Sequence, residues 1–228
     1  MTIIAIHQPG YIPWLGFFKR VLDSDIFVFL DDVQYEKKQW HNRNKIRTSN
    51  GSTWLSVPVK SQFGSNLNEI KVDNTTDWRN LHKKSILLNY SKAKYFKKYW
   101  NNLENVYQKQ YDFLIDINME IISFLLDEFH IKTKTIFSSE LEITGKGSNR
   151  ILDICKKLGA DTYVSGILGK NYLSVDDFVN NNINVRFQDF QHPVYTQCFD
   201  PFIPNMSAID LLFNESDTAY EILKNAED

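Results

Sequence analysis

The first twenty residues constrain the fold of this chain more than any other stretch. An apolar run at 2–6 leads into a loop at 7–14 that contains two prolines and a glycine, and an apolar, basic segment follows at 15–23. The prolines restrict the loop to few shapes, because each ring locks φ and removes a backbone donor. Strand, polar loop and helix in this order predict an open parallel sheet with a site at the carboxyl ends of its strands.

A second strand is predicted directly after that helix. Residues 26–30 form a continuous apolar, β-prone run, typical of a strand covered on both faces, and Asp31 and Asp32 follow it. Residues 2–32 therefore read as a βαβ unit. Its right-handed crossover places both strand ends on one edge of the sheet, so His7 and the two aspartates are expected to converge. Further strands are predicted at 52–59, 69–73, 133–139, 161–166 and 184–190.

Residues 77–130 have a different character. Apolar and aromatic side chains recur there at helical spacing over three segments, the last at about 111–129. We predict a helical block that packs over one edge of the sheet and is not the main binding site. The whole chain, 1–228, is predicted to be a single α/β domain with an open, mostly parallel sheet, flanking helices and this helical insertion.

The stretch at 33–47 is dense in cations and amides and has no clear period, so we predict a loop. Arginine offers a fork for phosphate or carboxylate, lysine a point charge and tryptophan a stacking face, which together suit an anionic, planar ligand. A solvated surface loop is the simpler alternative. The candidate binding residues in this stretch are Gln34, Trp40, His41, Asn42, Arg43, Asn44 and Lys45.

A second candidate binding loop follows the strand at 161–166. It contains Ser165, Gly166, Lys170 and Tyr172. The glycine-lysine-glycine at 145–147 lacks the P-loop pattern, and Ser148 after it is predicted to cap the next helix.

The first loop suggests the chemistry. His7 can act as a general base on an amine or hydroxyl, one of Asp31 and Asp32 can orient it, and the other can bind a sugar hydroxyl. Gln8, Tyr11 and Trp14 are candidate substrate contacts in the same loop. In the simpler alternative Tyr11 and Trp14 only pack. A metal site lacks a second histidine at ligand spacing, a hydrolase triad lacks a nucleophile elbow, and no cofactor is identified.

The charge and composition of the chain limit the classes of partner and location that we expect for it. The net charge of -2 gives no general attraction to nucleic acid or anionic membranes, and Cys155 and Cys198 lack the spacing of a zinc site. The amino end does not resemble a signal peptide, and no apolar run approaches the roughly 20 residues of a membrane span. A cytoplasmic protein with a small-molecule substrate is the expectation.

Several motifs together resemble one family, the WbqC-like proteins. They are the stretch from His7-Gln8-Pro9 through Tyr11, Pro13-Trp14 and Gly16, then Asp32-Val33-Gln34, the run 42–46, and Trp54-Leu55 with Val57-Pro58-Val59. Tyr163, Ser165-Gly166, Tyr172-Leu173, the run 192–195 and the run 207–214 also fit, so the resemblance spans nearly the whole chain. It implies an enzyme of bacterial surface-polysaccharide biosynthesis, such as O-antigen assembly, that acts on an activated, often amino-substituted sugar. It does not fix the reaction.

The order of elements is also similar to nucleotidylyltransferases of the H-x-G-H kind, which implies a Rossmann-like or HUP-like fold. Those enzymes carry a second histidine where this sequence has Tyr11, and the basic motif near 165–170 is matched only in part.

Three hypotheses about function remain open from the sequence. The first is acyl or aminoacyl transfer to the amine of a nucleotide-linked amino sugar. The second is nucleotidyl or adenylyl transfer in the same pathways, which magnesium dependence and pyrophosphate release would favour. The third is a non-catalytic ligand-binding protein.

Overall fold

The computed structural model describes residues 1–227. The strands are β1 (Ile3–His7), β2 (Ile26–Phe29), β3 (Arg43–Thr48), β4 (Gly51–Ser56), β5 (Val59–Lys60), β6 (Lys71–Val72), β7 (Lys134–Phe137), β8 (Thr162–Gly166) and β9 (Asn184–Gln188). The helices are α1 (Leu15–Leu22), α2 (Trp78–Tyr90), α3 (Phe96–Gln108), α4 (Leu114–Glu128), α5 (Gly147–Lys157), α6 (Val175–Asn180), α7 (Ile209–Glu215) and α8 (Ala219–Lys224). The predicted strands of the main sheet and the three helices of 77–130 are confirmed.

Five strands form one sheet in the order β7-β2-β1-β8-β9, and every neighbouring pair is parallel. The predicted α/β class with an open parallel sheet and flanking helices is therefore confirmed, and the strand order is Rossmann-like. The chain winds outward from β1 through β2 to β7, and then continues on the other side of β1 with β8 and β9. The direction reverses between β1 and β8, and at such a switch point an open α/β sheet forms its ligand crevice.

The sheet is buried on both faces because apolar residues of the central strands alternate between two cores. Ile4 and Ile6 of β1 pack with α5 and α6, whereas Ala5 packs with α1 and the helical block. This two-sided burial is what turns β1 and β2 into continuous apolar runs in the sequence.

The prediction of a loop over 33–47 was wrong for its last part. Residues 43–48 form β3, which pairs antiparallel with β4 across the tight turn at Gly51. Asn44 and Ile46 are buried on one face of β3, and Arg43 and Lys45 lie on the other. The strand was missed because the polar Asn44 stands at a buried position and breaks the apolar alternation.

Asn44 is buried because it holds the first loop. Its Nδ2 donates to the carbonyl of Ile12 at 2.6 Å, and Ile12 has a φ of 44°, which a β-branched residue rarely adopts. The amide of Tyr11 in the same loop donates to the carbonyl of Trp40 at 3.1 Å. The loop at 7–14 is therefore fixed against the entry of the β3–β4 hairpin by buried polar contacts.

We expect Asn44→Ala to lower the free energy of unfolding by about 1–3 kcal/mol, because it leaves a buried carbonyl without its donor in a strained turn. Chemical denaturation checks this. The matched control is Asn101→Ala on the exposed surface of α3, which is expected to have little effect. Equal losses in the two variants would contradict the assigned role of Asn44.

The predicted cap of α5 was wrong in one respect. The helix begins at Gly147, one residue before Ser148, and the Ser148 hydroxyl instead accepts a hydrogen bond from the amide of Ser174 at 2.9 Å. Gly159 follows the helix with a φ of 68°, as predicted for a helix end. Among residues 1–227, no helix combines the length and the apolar character needed to cross a membrane.

Candidate functional site

The carboxyl edge of the sheet at the switch point between β1 and β8, which we call the crevice, brings together residues from four elements. His7 is the last residue of β1, and Ser165 and Gly166 end β8. Arg20 reaches the same edge from α1, and Gln188 reaches it from the end of β9. Parallel strands align these ends, so the crevice collects residues that are far apart in the sequence.

His7 is held in a defined tautomer. Its Nδ1 lies 2.7 Å from the carbonyl oxygen of Gln8, which requires a proton on Nδ1 and leaves the lone pair on Nε2. The ring lies edge-on to Phe17 with the centroids 5.5 Å apart. Burial lowers the pKa of His7 to about 3, and the charges of Arg20 and His41 add to this effect. His7 is therefore neutral in the free protein and presents an acceptor.

Arg20 was not singled out from the sequence. It is 5 % exposed, and its Nε donates to Oε1 of Gln188 at 2.9 Å. Its terminal nitrogen lies so close to Gly166 that a Cβ on that residue would approach it to 2.9 Å. The available signal was a basic residue within an apolar helix that faces the sheet. Its guanidinium is the cation of the crevice.

The second predicted loop reaches the same region. The buried Ser165 hydroxyl donates to the carbonyl of Gly166 at 3.1 Å, and Gly169 packs directly against that serine. The Lys170 ammonium lies 5.6 Å from the centroid of the Phe187 ring, and Tyr172 is exposed. Partial desolvation of its hydroxyl raises the pKa of Tyr172, whereas a hydrogen bond with Ser165 and the charge of Arg20 lower it. The strand end at 165–166 and Tyr172 are therefore neighbours of the Arg20 guanidinium.

Gln8 joins His7 to a second imidazole. Its side-chain Oε1 accepts a hydrogen bond from Nε2 of His41 at 2.7 Å, and its backbone carbonyl accepts a hydrogen bond from Nδ1 of His7. His41 is buried, and burial lowers its pKa as well. The backbone carbonyl of His41 accepts a hydrogen bond from Asn118 at 2.8 Å, so both the backbone and the ring of this residue are held.

Two other loop residues point into the protein. The Tyr11 ring is fully buried, and its hydroxyl contacts Nδ1 of His82 at 2.8 Å and the hydroxyl of Tyr107 at 2.6 Å. Trp14 is half-buried and packs edge-on against Phe190, with the ring centroids 5.3 Å apart. A substrate contact by either residue stays a prediction.

The two aspartates have partners on the neighbouring strand end. Asp31 accepts hydrogen bonds from the amide and the hydroxyl of Ser139 at 3.0 and 2.7 Å. Asp32 pairs with Arg150 at 2.5 Å and also accepts from Ser138. The serine contacts join the ends of β2 and β7, and the ion pair with Arg150 joins Asp32 to α5. A catalytic role for the two carboxylates stays a prediction.

The remaining predicted residues lie on or beside the β3–β4 hairpin. Trp40 and Trp54 are 47 % and 41 % exposed, and their ring centroids are 5.2 Å apart. The guanidinium of Arg43 lies 4.4 Å from the Trp54 ring centroid, and the Lys45 ammonium lies 5.0 Å from it. These four residues form an aromatic and cationic surface, which we call the tryptophan surface. Trp54 was not among the binding residues predicted from the sequence. The signal that could have identified it is a large aromatic side chain at an outward position of a strand.

Three of the predicted binding residues carry side-chain amides and do not belong to the tryptophan surface. Gln34 is exposed and bridges to Asn66, Asn42 donates to the carbonyl of Val57 at 2.8 Å, and Asn44 holds Ile12. The latter two bonds fix the backbone around the hairpin. Within residues 1–227, no group of three or more histidine, cysteine, aspartate or glutamate side chains is arranged to hold a metal ion.

Gly166 offers a direct test of the cation in the crevice. We expect Gly166→Ala to fold normally, because its backbone conformation suits alanine, with a φ of -70°. The new Cβ would displace the Arg20 guanidinium and weaken the affinity for an anionic ligand by about 10-fold. Calorimetric titration with nucleotide sugars measures this. Arg20→Lys, which keeps the charge but loses the fork, should have a similar effect. Unchanged affinity in both variants would exclude Arg20 from binding.

Comparison with known proteins identifies the family of this chain. The model of the WbqC-like protein family matches residues 8–222. The uncharacterized protein Rv1507c of Mycobacterium tuberculosis is 33% identical over 228 residues, and the alignment covers 98% of each chain. No solved structure matches. The match includes nearly all the loop at 7–14, the hairpin and the second strand end of the crevice, and it shows that the chain belongs to the WbqC-like protein family.

Proposed function

We propose that this protein is a transferase that moves an acyl or aminoacyl group to the amine of a nucleotide-linked amino sugar. The observation that carries the proposal is the pairing of a neutral imidazole, His7, with a buried guanidinium, Arg20, at the switch point of the sheet. A base and an anion-binding group are what an amine on a phosphorylated carrier requires. The family resemblance supports the substrate class, because it implies activated amino sugars.

In the proposed reaction the substrate amine lies at Nε2 of His7. The amine nitrogen attacks the acyl carbon of the donor, and His7 takes a proton from that nitrogen as the new bond forms. The bond between the acyl carbon and the donor's leaving group then breaks, and the leaving group departs with the electron pair. His7 returns the proton to it, so that the imidazole is neutral again.

The low pKa of His7 suits this sequence only when a substrate is bound. Burial and the positive charge of Arg20 both disfavour the imidazolium. An anionic group of the substrate beside Arg20 offsets that charge and raises the proton affinity of His7. Base strength would therefore appear in the enzyme–substrate complex, where it is needed.

The tryptophan surface is the proposed place for the carrier. It adjoins the first loop, because the carbonyl of Trp40 binds the amide of Tyr11. A nucleobase can stack on an exposed tryptophan ring, and Arg43 and Lys45 supply charges for its phosphates. Residues 8, 40, 41 and 43 would thus connect the carrier to the reacting amine.

Nucleotidyl or adenylyl transfer is the second candidate, and one observation favours it. The sequence lacks the second histidine of the H-x-G-H pattern at Tyr11, yet His41 supplies an imidazole bonded to Gln8 beside His7. Two imidazoles and Arg20 near a phosphate would suit transfer at phosphorus.

One assay separates these candidates. The protein is incubated with nucleotide-linked amino sugars, with acyl-thioester and aminoacyl donors, and in parallel with nucleoside triphosphates and sugar phosphates. We expect mass spectrometry to find the acylated amino sugar and no pyrophosphate, with the product lost in Arg20→Gln. Pyrophosphate release with a nucleotidylated product would establish the second candidate instead. Binding without turnover across all donors would show that the protein is a ligand-binding protein.

A further inference from the structure

A concave surface lies at the β5–β6 ribbon. An open cavity of about 880 Å³ lies between the β5–β6 ribbon, the loop at 61–69 and the residue before α4. This size suits a small molecule. Its lining residues are Lys60, Ser61, Gln62, Ser65, Asn66, Asn68, Glu69, Lys71 and Phe113. None of the residues that we assigned to the crevice or to the tryptophan surface is among them.

Three of the lining residues stand in one row. Lys60 and Lys71 are register partners in the antiparallel β5–β6 pair, and Lys71 in turn forms an antiparallel bridge with Phe113. Partners across adjacent strands point to the same face, so two ammonium groups and an aromatic ring are presented side by side to the cavity.

This row places two ammonium groups opposite each other across the strand pair. Like charges directly opposite each other across a strand pair are destabilising. The Asp73 carboxylate lies 3.3 Å from the Lys60 ammonium. The Lys60 side chain is 61% exposed, and a surface ion pair of this kind contributes little to stability. Glu69 also lines the cavity, and its carboxylate accepts the amide of Asn66 at 2.9 Å. A dianion placed between Lys60 and Lys71 would relieve their repulsion.

The rest of the lining is made of hydroxyl and amide groups with a single aromatic ring. Hydroxyl groups on a sugar ring both donate and accept hydrogen bonds, so they require donors and acceptors in the lining. Both kinds of group are offered by Ser61, Gln62, Ser65 and Asn66. Phe113 is half-buried and offers an apolar face for the C–H side of such a ring. Asn68 forms the wall toward the sheet, where its backbone amide donates to the carbonyl of Asp31 at 3.0 Å.

We propose that this cavity is a binding site for a phosphorylated sugar, with the phosphate between Lys60 and Lys71 and the sugar ring on Phe113. The proposal does not depend on the transferase reaction, since it concerns binding at residues outside the crevice. Phosphate supplies the two negative charges, and the sugar hydroxyls match the amide and hydroxyl lining.

The test is calorimetric titration of the full chain with glucose 1-phosphate, glucose and inorganic phosphate. We expect glucose 1-phosphate to bind at least about 10-fold more tightly than either of the other two, because each supplies only half of the contacts. Lys71→Glu should weaken its binding by about 10-fold or more, and Phe113→Ala should reduce the advantage over inorganic phosphate. Lys84→Glu, a charge reversal on the exposed side of α2, is the matched control and should bind normally.

Several outcomes would overturn the proposal. Equal binding of glucose 1-phosphate and inorganic phosphate would leave a plain anion site, and equal loss in Lys71→Glu and Lys84→Glu would show a general charge effect. Melting temperatures of the same preparations confirm that each variant is folded, and Lys60→Glu repeats the test at the other ammonium. Arg20→Gln should keep this binding, so the result stands apart from the outcome for the crevice.

Discussion

Replacement of His7 by asparagine is expected to lower turnover by about 10²–10⁴-fold and to leave the fold intact. The amide of asparagine can still donate to the carbonyl of Gln8, as Nδ1 of His7 does at 2.7 Å. What the variant loses is Nε2, the acceptor that the proposed reaction uses. Melting temperature and rate measured on the same preparations separate a loss of chemistry from a loss of structure.

His7→Gln is the matched control, because its longer side chain brings an amide to the place of Nε2 and gives up the contact with Gln8. An acceptor without basicity does not rescue turnover, so both variants should be slow. If His7→Asn is stable and turns over at the normal rate, His7 is not the base and Lys170 becomes the next candidate.

The pH dependence gives a second view of the same residue. A base with a pKa of about 3 in the free enzyme does not titrate near neutrality. Since kcat/KM reports the free enzyme, its profile should show no step from His7 between about pH 5 and 8. The profile of kcat should show a step from His7 at a pH above about 3, because a bound anion beside Arg20 raises the pKa of His7 in the enzyme–substrate complex. A step in kcat/KM near the ordinary value of about 6.5 would contradict the buried, neutral imidazole.

The largest effect on stability is expected at Asp210. This carboxylate is fully buried in α7 and accepts hydrogen bonds from the hydroxyls of Tyr90 and Tyr195 and from Nε2 of Gln197, each at 2.8 Å. Asp210→Ala leaves the buried hydroxyls of Tyr90 and Tyr195 without this acceptor, whereas Nε2 of Gln197 still donates to the carbonyl of Ile203. The free energy of unfolding should fall by about 3–5 kcal/mol. Asp153→Ala on the exposed side of α5 is the control.

The effect of Asp210→Ala should depend on pH in a defined direction. Burial raises the pKa of this carboxyl above its usual range, and the hydrogen bonds from Tyr90, Tyr195 and Gln197 oppose the shift. A raised pKa in the folded state means that the group stabilises most below its unfolded pKa of about 3.9, and less as the pH rises through the folded value. The difference between wild type and variant should therefore be larger at about pH 4 than at pH 8. The opposite trend would mean that the hydrogen bonds outweigh burial.

The sequence was sufficient for the parts of the fold that rest on local patterns. The two-sided burial of β1 and β2 produces continuous apolar runs, and the helices of 77–130 produce a regular spacing of aromatic residues. The carboxyl-edge position of His7, Ser165 and Gly166 then follows from the parallel topology alone, because each residue ends a strand.

The contacts that give the site its chemistry are not local, and the sequence did not show them. Arg20 meets Gly166 and Gln188 across more than a hundred residues, and its position in an apolar helix does not by itself indicate these partners. Asp210 lies in the first turn of α7, where an acidic residue is common for local reasons, whereas the structure uses it as a buried acceptor. Asp31 and Asp32 bind Ser138 and Ser139, which the pairing of β2 with β7 brings near, and Asp32 also binds Arg150 of α5.

The most direct test of the central claim is a crystal structure of the protein with a nucleotide-linked amino sugar. We expect the ligand to occupy the crevice between β1 and β8, with its amine about 3 Å from Nε2 of His7 and an anionic group beside the Arg20 guanidinium. A ligand bound chiefly to the helical block at 77–130, or with its amine far from His7, would contradict the proposed site.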